Sequence, residues 1–405
     1  MSTSDKLNYL IETKNAIKTA IQNKGVSVTN EDTFRNYAEK ISSIPQTVKA
    51  DDWKPEADWW NIEEILENDT EDYEAKVILL LTDELDNTGI LQEIKGFSKY
   101  KLSDGQVFTP QNYTQTVNIT DIFDTTKDKE CSKRYKTRYI IGYFNSQSST
   151  TMFFPANTLA IIIDGIKSGN NTCFQNKQYL QYVKFKNLIL PSASLNSMFI
   201  HDVRLQKVEG LENISNMNNE NFISYNSMFS DNTSLKKAPY LEISDDSTVI
   251  SMFYGCVSLI DISNVNMGEN ISNITSIISY TQVEDFPFDF SSGTLTNVVQ
   301  AFYMSPKLKK IGKLNLEKVT DTSKASSIFG NCYSLEEIED ITNISVSLNF
   351  SNCNLLTRST LLKILNGLVD LTGKSAQTLT LGATNLAKLT DEEKAIATNK
   401  NWILK

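Results

Sequence analysis

Between residues 174 and 356 one apolar position recurs with an echo six residues later and a second echo three beyond that. The series reads Phe174/Leu180/Val183, Phe199/Leu205/Val208, Phe229/Leu235/Ala238 and Phe253/Leu259/Ile262. It continues as Ile277/Val283/Phe286, Phe302/Leu308/Ile311 and Phe329/Leu335/Ile338, and ends in a degenerate Phe350/Leu356. First members lie 25, 30, 24, 24, 25, 27 and 21 residues apart, a period at which single supersecondary units stack to share one core. Within one unit, Val249, Met252 and Phe253 fall at i, i+3 and i+4, one face of a short helix. Gly255 permits the left-handed turn that would end it. Ser258-Leu259-Ile260-Asp261-Ile262 then alternates polar and apolar residues as a half-buried strand does. A helical turn plus a strand cannot bury its own apolar face, so neighbours must supply the rest of the core.

Three cysteines belong to this pattern. Cys256, Cys332 and Cys353 each follow an anchor phenylalanine by three residues, and read as small buried side chains in a ladder. The reading as reactive or metal-bound thiols needs an electropositive neighbour or further ligands, and the sequence places none beside them. The five cysteines form no CxxC pair, which suggests neither a zinc knuckle nor a disulfide framework. The strings Met228-Phe229…Ser234-Leu235, Met252-Phe253-Tyr254-Gly255-Cys256-Val257-Ser258-Leu259 and Ile328-Phe329-Gly330-Asn331-Cys332-Tyr333-Ser334-Leu335 resemble BspA-like leucine-rich repeats. Leu259-Ile260-Asp261-Ile262-Ser263 is similar to the strand that follows in that family. The resemblance covers about residues 165–405. It implies a leucine-rich-repeat α/β solenoid used for surface recognition or adhesion. Unit 277–286 departs from it by lacking both Phe and Cys, and unit 302–311 carries Ser305 where the Cys stands.

The tail from 356 to 405 is similar to the segment that closes such arrays. Leu361, Leu362, Leu365 and Leu368 form a helical stripe ended by Thr372-Gly373, and Thr390-Asp391-Glu392-Glu393 is a capping box that starts a second helix. At the other end, Leu7, Leu10, Ile11, Ile17, Ala20 and Ile21 share one helical face, with Gly25 as the stop. Phe34, Tyr37, Ala38, Ile41 and Ile44 share a second face that Pro45 ends. Such a hairpin is too small to stand alone and needs a partner surface. Its residues Lys14, Ile17, Lys18, Ala20, Ile21, Lys24-Gly25-Val26, Thr33-Phe34, Tyr37 and Lys40-Ile41 resemble a segment near the N-terminus of tail and appendage proteins of phages infecting Gram-positive bacteria. Between the two regions, 75–81, 100–108, 115–123, 138–144 and 159–164 alternate or run apolar between turn signals such as Ser103-Asp104-Gly105, as a small antiparallel sheet does. The fold class expected is therefore α+β: a helical hairpin at 1–48, a small mainly antiparallel β domain at 49–164, the solenoid at 165–356 and a helical cap at 357–405.

Composition narrows function by exclusion. Lys and Arg number 39 against 49 Asp and Glu, a net charge of −10, which argues against phosphate-backbone binding. One histidine, His201, leaves little acid–base or metal chemistry, and no GxSxG, P-loop or GxGxxG string occurs. No enzyme activity, no cofactor and no metal site is expected. The acidic stretch 51–74 sets Trp53, Trp59 and Trp60 among carboxylates that include Asp51, Asp52, Asp58, Glu63, Glu64, Glu67, Asp69 and Glu71. It reads either as a sugar-stacking site with a carboxylate dyad or as an amphipathic helix whose tryptophans pack inward, and solvated charge runs being the rule favours the second. Residues 1–24 lack an apolar core of signal-peptide length, and no apolar run approaches a membrane span. With the phage resemblance, the expectation is synthesis in a host cytoplasm and delivery to a virion. There the chain would serve as a tail-fibre, spike or head-fibre protein. Its N-terminal region would meet other virion proteins and its repeats a host-surface glycan or protein, in a homo-oligomer without membrane insertion. A purely structural virion scaffold and a bacterial surface adhesin are the alternatives. Tyr254, Tyr303 and Tyr333 near the turns offer aromatic contact area for a ligand, against the plainer reading that they only cover the repeat edge.

Overall fold

The computed structural model describes residues 13–15, 17–18, 54–83, 93–131, 135–144, 152–167, 172–218 and 220–405. The chain divides into two compact units, Met1–Asp52 and Trp53–Lys405. In the first unit the described residues 13–15 and 17–18 are helical. The rest of the expected hairpin lies outside the described residues.

The second unit begins on an eight-stranded sheet. Its central strand, Ala75–Thr82, pairs antiparallel with Lys136–Phe144 on one side and Thr158–Asp164 on the other. Lys99–Leu102 and Val107–Phe108 form the hairpin across Ser103-Asp104-Gly105 and extend the first side. On the second side the sheet turns parallel. Tyr182–Phe185 joins Thr158–Asp164, and Lys207–Glu209 joins Tyr182–Phe185. The first two repeat units thus add their strands to the antiparallel sheet, and one apolar core runs on from Ala75 to Trp402. Both faces of the sheet are covered. Val77, Leu79, Ile161 and Val183 face the long core. Ile78, Leu80, Ile162 and Tyr182 face a smaller cluster with Trp59, Ile62 and Leu66 from the short helix Ile62–Glu67. Such two-sided burial explains why these strands read as apolar runs.

Beyond residue 215 the α+β expectation is corrected. The described residues are mostly strand and turn in several small sheets with few short helices, and an α/β solenoid with a helical cap is not found among them. The stretch around Val249, Met252 and Phe253 is not a helix, because the residue two before each anchor from the second unit to the seventh is left-handed. Ser197, Ser227, Ser251, Ser276, Gln300 and Ser327 all have φ between 52° and 54°. That conformation ends any helix. The second residue after each of the first seven anchors is left-handed too: Asn176, His201, Asp231, Gly255, Tyr280, Met304 and Asn331. Each turn therefore sends alternate N–H groups to the next unit, while the ones between them donate back along the turn, as Met252 does to Val249 and Tyr254 to Ser251. Ser251, Phe253 and Gly255 donate to the carbonyls of Thr275, Ile277 and Ser279 at 2.9, 3.0 and 3.0 Å. The pattern of three bonds repeats with Ser276, Ile278 and Tyr280 donating to Val299, Ala301 and Tyr303. By this register the anchor of the fifth unit is Ile278, one residue later than the apolar spacing places it. The strands are also displaced: Ser258–Ile262 holds a single bridge at Asp261, and pairing resumes at Val265–Met267 with Leu241–Ile243.

The later strands, Asp285–Phe290, Lys310–Asn315 and Glu337–Thr342, form a parallel sheet, against which the helix Arg358–Gly367 packs. The chain end does not close as a helical cap. Leu348–Asn349, Thr378–Thr380 and Ile403–Leu404 make another parallel sheet. The capping box of the helix Asp391–Asn399 is present, with Thr390 accepting from the Glu393 N–H.

Candidate functional site

The third residue after each anchor forms a buried column: Lys177, Asp202, Asn232, Cys256, Thr281, Ser305, Cys332 and Cys353. From the third unit on, all but Thr281 share one chemical task; Thr281 Oγ1 donates instead to the carbonyl of its own anchor, Ile278, at 2.9 Å. Asn232 Nδ2, Cys256 Sγ, Ser305 Oγ, Cys332 Sγ and Cys353 Sγ each donate to the anchor carbonyl of the preceding unit, at 2.9, 3.0, 2.7, 3.0 and 3.5 Å. The column therefore asks for a small donor rather than for sulfur, which is why Ser305 replaces a cysteine without disturbing its unit. Burial raises the Cys256 and Cys353 thiols and pushes Cys332 up to about 12, far from the thiolate that nucleophilic or metal chemistry needs. Cys256→Ser keeps the donor and is expected to stay within about 1 kcal/mol of the parent, whereas Cys256→Val loses it and costs about 1–3 kcal/mol. Urea unfolding checks this, and equal midpoints for the two variants would refute the donor role.

The first and second residues after each anchor stand on the turn edge, and there the aromatic candidates meet. Tyr254 and Tyr303 are bridged by Tyr280, with ring centroids 5.4 and 5.6 Å apart and interplanar angles of 72° and 78°. Tyr280 escaped the sequence reading because an anchor at Ile277 makes it a column residue, while an anchor at Ile278 puts it on the edge. Gly330 sustains the row, since a Cβ there would lie 2.8 Å from Tyr303 Cδ2. Tyr333 attaches through its hydroxyl, which donates to Asn331 Oδ1 at 2.9 Å, and Asn352 Nδ2 donates to the same oxygen at 2.8 Å. Val257, Met304 and Tyr333 beside the row are exposed. The lone histidine also lies on this edge: His201 Nδ1 is 3.3 Å from Asp231 Oδ2, and Asp231 in turn overhangs Gly255, whose Cβ would meet its Oδ1 at 2.2 Å.

The acidic stretch forms the wall of a cleft of about 400 Å³ between the segment 54–63 and the sheet. Trp59 is buried and donates to Tyr135 Oη at 2.7 Å. Trp60 packs edge-on against Tyr139. The carboxylates are engaged by lysines: Glu63 with Lys184, Glu67 with Lys186, and Asp69 with Lys76 and Lys101. Glu209, on the far wall, accepts from Tyr182 Oη at 2.6 Å and pairs with Lys207 at 2.7 Å. Burial opposes its charge, yet these two hydrogen bonds hold its carboxyl below the ordinary value. Trp59 and Trp60 thus pack inward and the described carboxylates pair outward, while Asp51, Asp52 and Trp53 lie outside the described residues. No group of three or more His, Cys, Asp or Glu able to hold a metal occurs among the described residues. No helix among them is long and apolar enough to cross a membrane.

No family model, no curated protein and no solved structure matches this chain.

Proposed function

We propose that the chain is a contact protein of a bacteriophage particle, attached by its N-terminal region and meeting the host surface with the turn edge of its repeats. The observation that carries this reading is the edge itself. Three tyrosines from consecutive units are held ring against ring on a backbone fixed by three inter-unit hydrogen bonds per turn. Rigid aromatic surface of this kind is what recognition faces use, because little side-chain freedom is lost on contact. The resemblance of residues 14–41 to virion proteins of Gram-positive-infecting phages supports attachment at the other end. In this reading the work is contact without chemistry, and several copies act together on one particle.

The test uses washed particles from the genome that encodes the chain, with antibody against the full-length protein. Gold label on one part of the particle is expected, and excess purified chain is expected to reduce attachment of particles to cells. Absence of the chain from washed particles by mass spectrometry would overturn the reading. Presence without competition would replace its host-contact half with the scaffold role.

A further inference from the structure

We infer that the turn edge between Tyr254 and Leu355 binds an extended neutral glycan, with Tyr254, Tyr280 and Tyr303 as its stacking platform. The inference rests on the reading above for where such a glycan would be met, and on the edge's own chemistry for what it is.

The five residues after each anchor, from Tyr254 to Leu355, offer tyrosine rings, hydroxyls and amides, and among them stands one charged side chain, Lys307. Over this stretch the edge of a chain carrying −10 overall is almost uncharged, and the nearest charged neighbour from the earlier units is Asp231 beside Gly255. The strand face a few residues further on is the opposite. There Lys237 meets Asp261, Lys309 meets Glu284, and Lys313 meets both Asp289 and Glu339, at 3.3, 2.7, 2.7 and 3.7 Å. Those pairs leave an acidic excess on that face, where Glu284, Asp285, Asp289, Glu336, Glu337, Glu339 and Asp340 outnumber Lys309, Lys310 and Lys313, so it repels a polyanion. An acidic polymer would therefore find its match on neither surface. A neutral sugar chain finds it on the edge. Its C–H faces carry partial positive charge that suits the negative face of an aromatic ring, and its hydroxyls suit side-chain amides such as Asn331 and Asn352.

Preorganisation is also in place. The rings are locked edge to face, and Tyr303 rests on the space that Gly330 leaves. Asn331 is fixed by Tyr333 and Asn352. Platforms on three consecutive units suit a ligand that is itself a repeating chain, and weak single-sugar contacts then add along its length.

The experiment is affinity electrophoresis of the full-length chain through gels containing a glucan, a galactan, a mannan or a poly-N-acetylhexosamine, with hyaluronan and polyglycerol phosphate as polyanions. Retardation by at least one neutral polymer is expected, changing little between low and high salt. The variant Tyr254→Ser/Tyr280→Ser/Tyr303→Ser is expected to bind at least about tenfold more weakly, with Lys313→Ser unchanged. Tyr280→Phe, which keeps the ring, should retain binding and guards against loss through misfolding, as does an unchanged circular-dichroism spectrum of the triple variant. Failure of all four neutral polymers, retardation only by polyanions, or full binding by a folded triple variant would overturn the inference. Competition with particles that persists despite such a failure would leave the virion reading standing and point to a protein receptor.

Discussion

Phe253→Ala is expected to destabilise the protein by about 3–5 kcal/mol, the range for emptying a buried phenylalanine site. The ring is 1% exposed and lies nearly parallel to that of Phe229, centroids 5.6 Å apart at 10°. Phe229 stacks in the same way on Phe199, at 5.3 Å and 12°. Truncation therefore removes a dispersion contact and opens a cavity in the middle of a column, where neighbouring units are fixed by their backbone bonds and cannot close it. On the other side the column continues as Ile278, an aliphatic side chain that cannot swing into the vacated ring position without leaving its own site. The measurement is urea unfolding of the full-length chain, with Tyr333→Ala on the exposed edge as a control expected within about 0.5 kcal/mol. A Phe253→Ala midpoint shift equivalent to less than about 1 kcal/mol would mean that the phenylalanines do not hold the units together.

The column was legible in the sequence because its period is carried by side chains: Phe, then Leu six residues later, are apolar for a reason that pattern alone reveals. What the backbone does between them was not. Val249, Met252 and Phe253 sit at helical spacing, yet a turn with left-handed residues at Ser251 and Gly255 also brings all three inward. Periodicity cannot separate the two geometries over four residues. The run of Asn176, His201, Asp231, Gly255 and Asn331 at one repeat position held the signal, since these residue types tolerate positive φ best. Its break at Tyr280 and Met304 hid the one-residue shift of the fifth anchor, and with it the tyrosine that joins the other two. The continuation of the antiparallel sheet into the first repeats was beyond reach for another reason. Tyr182–Phe185 and Lys207–Glu209 are strands of four and three residues whose pairing with Thr158–Asp164 is decided by tertiary contact. In the acidic stretch the weighing of tryptophan burial against a sugar site came down to Trp59 and its bond to Tyr135, a partner 76 residues away that no local pattern shows.

Asp202→Asn is expected to stabilise the protein at pH 7 by about 1–3 kcal/mol and to make no difference near pH 4. Asp202 occupies the column position that later units fill with neutral donors. It is fully buried, accepts from the Lys177 backbone N–H at 2.6 Å, and its Oδ2 finds no hydrogen-bond partner among the described residues. Burial raises its carboxyl well above the ordinary value, against smaller opposing contributions from the Lys177 N–H and the Lys177 charge. Lys177 is itself lowered by burial, opposed by Cys173 and Asp202, and its ammonium is spent on the Phe154 carbonyl at 2.6 Å and the Phe153 ring. The folded state therefore keeps a proton that the unfolded chain releases near the ordinary value of 3.8. The stability this proton confers is complete below about pH 4 and is lost as pH rises toward the raised folded value, at about 1.4 kcal/mol per unit. Asparagine has no proton to lose. Its Oδ1 can accept from Lys177 as the carboxylate does, and its Nδ2 can serve the preceding anchor carbonyl as Asn232 serves Phe199 at 2.9 Å. Thermal midpoints of parent and variant should thus coincide at pH 4 and separate in favour of the variant at pH 7. A variant less stable at pH 7 by about 3–5 kcal/mol would show instead that Asp202 is ionised and holds Lys177 as a buried ion pair, since removing one partner of such a pair strands the other.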